Sequence, residues 1–158
     1  MTFPTGCGGS SPNDWMAANA NLGNVLGDDV GVFRAFAAKG FRDRKKNKVR
    51  YFAYLLRAED VDGLSVGLSP RGAVKHLNEN HGYCELSVRA AHALPHNLQI
   101  RLDLTDGDHA FVCNLPLMTI SDEQRELAVL IAGELARLSQ VVTCDPYKPN
   151  GCDNPSPD

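Results

Sequence analysis

Apolar and polar residues alternate most regularly over Leu98–Leu104 (LQIRLDL), which predicts a strand with one face buried. Its exit, Thr105-Asp106-Gly107-Asp108, carries the Asp-Gly pair that favours a tight hairpin, so His109–Asn114 is predicted to return as an antiparallel neighbour. The same period of two puts Cys84, Leu86 and Val88 inward and Glu85 and Ser87 outward. Over residues 30–37, VGVFRAFA, it sets Val30, Val32, Arg34 and Phe36 on one face and Gly31, Phe33, Ala35 and Ala37 on the other. A helix over residues 30–39 is the competing reading of so short a run. Residues 49–57 (VRYFAYLLR) resume with β-branched and aromatic residues and predict a hairpin partner for that strand, with the polar segment 38–47 as its long tip.

Helical spacing appears elsewhere. Ser121 caps the last element with Gln124 three residues on, Asp122 and Glu123 sit at the positive end of the dipole, and the helix is predicted to reach about Ser139. Its apolar stripe is read as Leu127, Leu130, Ile131, Leu135 and Leu138. Ser69 and Pro70 cap and open a two-turn helix to Leu77, with Ala73, Val74 and Leu77 inward. Weaker patterns predict an imperfect helix over residues 13–26 with Trp15 as an anchor, one turn over residues 89–94, and an edge strand over residues 141–143. The sum is an α+β fold, a mainly antiparallel sheet of about five strands with a short capped helix after a Gly-rich turn and a long C-terminal amphipathic helix.

Residues 1–13 and 145–158 are rich in turn formers and read as loosely ordered tails flanking a single domain over residues 14–144. A chain of 158 residues with 43% hydrophobic and 22% charged positions can bury a full core, and no apolar run is long enough to cross a bilayer. The opening residues have neither a basic nor an apolar leader region, so the expected compartment is the cytoplasm. The five cysteines are irregularly spaced and read as reduced thiols, Cys84 and Cys113 within strands and Cys7, Cys144 and Cys152 in the flanks, where export would let those three pair.

Charge changes the picture more than composition does. Residues 32–57 hold nine of the sixteen basic residues and only one of the nineteen acidic ones, Asp43, so a basic block is set against an acidic remainder. Such a block is either a solvated loop or a footprint for an acidic partner or nucleic acid. Aromatic residues flank it rather than alternate with it, unlike the platforms of single-strand binders.

The Gly63-Leu64-Ser65-Val66-Gly67-Leu68-Ser69-Pro70 run reads as a strand-to-helix junction. It is also a candidate anion cradle, in which backbone donors, the Ser65 and Ser69 hydroxyls, Arg57 and Arg71 would hold a phosphate. Arg34 and Arg57 lie in apolar surroundings and require partners, either Glu59, Asp60 and Asp62 or an anionic ligand. No metal site is expected, since His76 and His81 are five apart, His92 and His96 are separated by Pro95, and the Asp103, Asp106, Asp108 and His109 cluster lacks the twelve-residue calcium-loop pattern. His109 is a lone histidine at a strand start, structural by default and a general acid or base if partnered.

The succession VFRAF, YLLRAEDVDGLSVGLS and DHAFVCNLP, over residues 32–116, resembles small bacterial proteins of unassigned function. More distantly, Arg34 on an early strand followed by Ser65 and Ser69 is similar to the layout of ADP-ribosyltransferase-like NAD-binding toxins. That resemblance implies NAD or another phosphate-bearing small molecule in a cleft of Arg34, Arg57 and the Ser69 helix end, with arginines on the pyrophosphate. Glu85 or His81 would position the reacting group, although Glu85 stands alone where such enzymes carry a Glu-x-Glu pair. The alternative function is a non-enzymatic interaction module whose basic loop, residues 38–48, docks an acidic protein or nucleic acid.

Overall fold

The Asp-Gly hairpin forms as its sequence demands: Gln99–Asp103 (β7) and His109–Cys113 (β8) pair antiparallel, with Ile100 opposite Val112 and Arg101 opposite Phe111. The structure, a computed structural model, describes residues 22–60, 62–75, 77, 81–117 and 121–142. Trp15, Cys7, Cys144, Cys152 and His76 lie outside those residues. Around the hairpin the chain builds Leu22–Val25 (β1), Gly31–Ala35 (β2), Leu64–Gly67 (β5), Tyr83–Ser87 (β6) and Gln140–Val142 (β9). These seven strands form one antiparallel sheet in the order β1-β7-β8-β5-β2-β6-β9. The α+β expectation holds, with seven strands where five were expected.

Two of the added strands correct the sequence reading. Leu22–Val25, expected at the end of a helix, instead pairs with β7, Leu22 opposite Asp103. Gly63–Gly67, expected as a turn, is mostly a central strand. The turn closes at Gly63, whose φ of 121° suits glycine, after which Leu64 and Val66 bury on one face and Ser65 and Gly67 take the other.

Register assigns the two faces, because opposed residues and residues two apart share a side. Val32, Leu64, Val66, Cys84, Leu86, Ile100, Ala110 and Val112 lie together on one face, each at most 2% exposed, and form the main core. The helix Asp122–Leu138 (α3), capped where Ser121 Oγ accepts from the Gln124 amide at 3.1 Å, belongs to this core. It is rolled relative to the expected leucine stripe, burying Ala128, Ile131, Ala132, Leu135 and Ala136 and leaving Leu130 55% exposed. The alanine side lets the helix approach the 3-10 turn Tyr51–Tyr54, whose Ala53 and Tyr54 are buried against the core.

That 3-10 turn replaces the strand expected over residues 49–57. Both edges of β2 are already occupied, by β5 and β6, so only Lys48–Val49 (β4) pairs, with Arg42–Asp43 (β3), in a two-residue ribbon carrying the basic block. Tyr54 Oη then ties three elements, 2.6 Å from Ser139 Oγ and 3.4 Å from Cys84 Sγ, while Ser139 Oγ donates to the Leu135 carbonyl at 2.8 Å.

The opposite sheet face carries Phe33, Ser65, Gly67, Arg101, Asp103, His109 and Phe111. The helix Pro70–Val74 (α1) sits on it, so close that a Cβ on Gly67 would fall on the Ala73 backbone nitrogen. Val88–His92 (α2) continues directly from β6, capped by Ser87. No helix among the described residues is long and apolar enough to cross a membrane.

Candidate functional site

Arg34 enters the core face of the sheet from β2, where period-two alternation leaves it between Val32 and Phe36. Its guanidinium is fixed by backbone carbonyls: Nε donates to Ala53 at 2.7 Å and Nη1 to Ser65 at 2.9 Å, with the Phe41 ring 6.0 Å below. Neither Glu59, Asp60 nor Asp62 pairs with it. Desolvation lowers the Arg34 pKa, while the fields of Tyr54, Asp60 and Cys84 act in the other direction. A positive charge is therefore held in a fixed orientation with neutral acceptors on two of its nitrogens.

The cation faces a cavity of about 210 Å³ lined by Arg34, Ala37, Ala38, Phe41, Phe52, Leu55, Arg57, Glu59 and Asp60. Arg34 and Arg57 thus line one cavity, two of the three groups that the expected cleft combined. Arg57 is an exposed wall residue, and its turn is fixed where its amide donates to Asp60 Oδ2 at 2.8 Å. Phe52, 41% exposed, stacks on Tyr51 with ring centroids 4.1 Å apart and presents an aromatic surface at the rim. Phe52 was not among the sequence candidates, since only the 3-10 turn, and not the strand expected there, brings it beside Arg34.

The remaining candidates lie elsewhere. Ser69 caps α1, accepting from the Gly72 amide at 3.0 Å, and its hydroxyl lies 3.4 Å from Asp108 Oδ1. Both Ser69 and Arg71 belong to the helix on the far face, away from the Arg34 cavity, so the expected cradle divides between two sides of the sheet. The reason is the mid-strand position of Ser65, which puts its carbonyl toward Arg34 and its side chain on the other face. Glu85 is exposed on that far face in a hollow with Asp28 and Asp29, where carboxylates would repel an anion. His81 precedes β6, its amide bonded to the Phe36 carbonyl at 3.0 Å. Neither Glu85 nor His81 is among the residues lining the Arg34 cavity.

Ser65 has a different partner. Its Oγ is hydrogen-bonded to His109 Nε2, and His109 Nδ1 lies 3.1 Å from Asp103 Oδ2. Asp103 Oδ1 in turn accepts from the Thr105 amide at 2.8 Å and the Thr105 hydroxyl at 2.6 Å. Burial pushes the Asp103 carboxyl up, but the Thr105 and His109 hydrogen bonds outweigh it and hold the pKa below the ordinary value. His109, alone in the sequence, gains its partners across three adjacent strands. The cluster of acids around it is split up, Asp106 pairing with Lys75 at 2.6 Å. His92 and His96 are likewise taken singly, by Asp28 at 3.2 Å and Glu134 at 2.7 Å, and among the described residues no group of three potential ligands is placed for a metal.

No family model, curated protein sequence or solved structure matches the chain.

Proposed function

We propose that the protein binds a phosphate-bearing small molecule of nucleotide type, NAD among the candidates, in the Arg34–Arg57 cavity. The observation carrying this reading is the state of Arg34, whose hydrogen bonds go to the Ala53 and Ser65 carbonyls and not to a carboxylate. A desolvated guanidinium without an anion is costly, and a phosphate entering beside Arg57 would supply the missing charge. The volume of about 210 Å³ lies below the roughly 300 to 1,000 Å³ of sites that enclose a drug-sized ligand, so it suits one end of such a molecule. Phe52 at the rim offers a stacking face for a base, and Glu59 and Asp60 can accept hydrogen bonds from ribose hydroxyls. The reading is one of binding, with no reaction assigned.

Calorimetric titration with ADP, NAD and inorganic phosphate tests it. Arg57→Ala, at an exposed wall position, is expected to weaken ADP binding roughly tenfold or more, the worth of one charge-assisted hydrogen bond. Phe52→Ala is expected to weaken ADP and leave phosphate unchanged. Absence of heat and of any thermal shift at millimolar ligand would sink the proposal.

The basic ribbon of β3 and β4 supports the second reading, an acidic partner or nucleic acid. Lys45, Lys46 and Lys48 are exposed, and the ribbon holds its shape through Arg42 Nη2 donating to Asn47 Oδ1 at 2.6 Å and the Lys46 amide donating to Asp43 Oδ1 at 3.1 Å. Binding there would fall steeply with salt, whereas the partly buried Arg34 is screened far less.

A further inference from the structure

We infer that the face of the sheet opposite the arginine cavity carries a second site, a serine nucleophile at Ser65 activated by His109 and Asp103 toward neutral esters. Three consecutive neighbours in the sheet supply one group each, Ser65 from β5, His109 from the start of β8 and Asp103 from the end of β7. Hairpin register brings the two ring nitrogens of His109 between a hydroxyl and a carboxylate, with Ser65 Oγ on Nε2 and Asp103 Oδ2 3.1 Å from Nδ1. An ionised Asp103 accepts the Nδ1 proton, which leaves the Nε2 lone pair to receive the Ser65 hydroxyl proton. Thr105 locks the other carboxylate oxygen with two hydrogen bonds, so the acid cannot rotate away from the ring. The imidazole plane is set on its other side by the Phe111 ring, 5.1 Å away at 88°.

This is the connectivity that makes a serine nucleophilic in acyl-transfer enzymes, with base and orienting acid in the right order. A bland network of buried polar groups needs only that each be bonded. Here each bond also points the proton in one direction, from Ser65 to His109, and Ser65 and His109 are only partly buried. Phe111 stands directly opposite Ser65 in the ladder and packs with Leu22 and Cys113, an apolar wall that selects a neutral, short-chain carboxylic ester over a charged one. In the step, Ser65 Oγ bonds to the carbonyl carbon as His109 Nε2 takes its proton. The C–O bond to the alcohol then breaks, the alcohol leaves with that proton, and water releases the acid from Ser65 by the same route. Ser65 also bonds Arg34 through its carbonyl, so the two sites share a strand but not a face.

The test uses the full chain and a fluorophosphonate probe, read by intact mass and peptide mapping. Ser65 Oγ displaces fluoride from phosphorus and gives its proton to His109, which leaves a stable phosphonyl adduct. One adduct on Ser65 is expected, slowed at least a hundredfold by His109→Gln and more mildly by Asp103→Asn, with a pH profile that His109→Gln abolishes. The adduct should form equally with saturating ADP present, which separates this site from the nucleotide cavity. Ser65→Cys, which preserves the shape if Ser65→Ala does not fold, should become alkylated by iodoacetamide well before buried Cys84. Folded wild-type protein without an adduct on Ser65, or an adduct whose rate His109→Gln leaves unchanged, would overturn the assignment and make the three residues a structural network.

Discussion

At the scale of single residues, the informative groups are those whose protonation the fold has shifted. Asp103 is 9% exposed and held below its ordinary pKa, since the hydrogen bonds from Thr105 and His109 outweigh the cost of burial. A carboxylate depressed on folding contributes stability at every pH above its unfolded value, about 3.9, and loses it as pH falls through the lower native value. Urea unfolding of wild type against Asp103→Asn should therefore show a difference at pH 7 that narrows below about pH 4. A constant difference over that range would contradict the assignment of the shift to Asp103. Cysteines make a second residue-scale prediction. Burial raises the Cys84 pKa and makes it an inert thiol, while Cys113, expected to be reduced, is disulfide-bonded. Denatured, unreduced protein should then show at most three free thiols of its five cysteines, and the native protein should not expose Cys84. Five thiols would instead mean that Cys113 is reduced, as the spacing of the cysteines suggested.

At the scale of elements, β5 shows what the pattern of residues conveys and what it omits. The capped helices and the Asp-Gly hairpin were legible because each is specified locally: Ser69, Ser121 and Gly107 act on neighbours within four residues. Leu64–Gly67 was not, since a strand of four residues bounded by glycines has the same composition as a turn, and only its placement between β8 and β2 makes it a strand. The candidate site inherits that limit. Alternation identified Arg34 as a cation on the core face, while Arg57, expected in apolar surroundings, is exposed, and the division of Ser65 and Ser69 from them depends on which way β5 faces. The roll of α3 has a similar cause, since packing on Tyr51–Tyr54 favours alanines that periodicity ranks below leucines. Gly67 tests the packing directly. With α1 resting on its Cα, Gly67→Ala forces helix and strand apart, and a loss of about 1 to 3 kcal/mol is expected in denaturant unfolding. Gly107, with open space around it, should tolerate alanine far better, and equal losses at the two positions would refute the close approach of α1.

For the whole molecule, the question is how a chain of net charge -3 uses a strongly basic segment. The fold separates two populations within that segment. Arg34 is turned into the core to face a cavity, whereas Lys45, Lys46 and Lys48 stand in solvent on a short ribbon outside the main sheet. Exposed lysines on a ribbon act as a long-range field, which brings anions near without fixing their orientation. A guanidinium clamped by two carbonyls does the reverse, offering its remaining donors in one geometry. The two populations should accordingly separate in one experiment. Lys45→Ala with Lys46→Ala should leave ADP affinity at 0.15 M salt within about twofold, because neither lysine lines the cavity and the field of exposed side chains is weakened by water and salt. Arg57→Ala should cost roughly tenfold under the same conditions, because it removes a direct charge-assisted hydrogen bond to the phosphate. If the lysine pair governs affinity and Arg57 does not, the ribbon is the binding element and the cavity is only where the fold stores a buried charge.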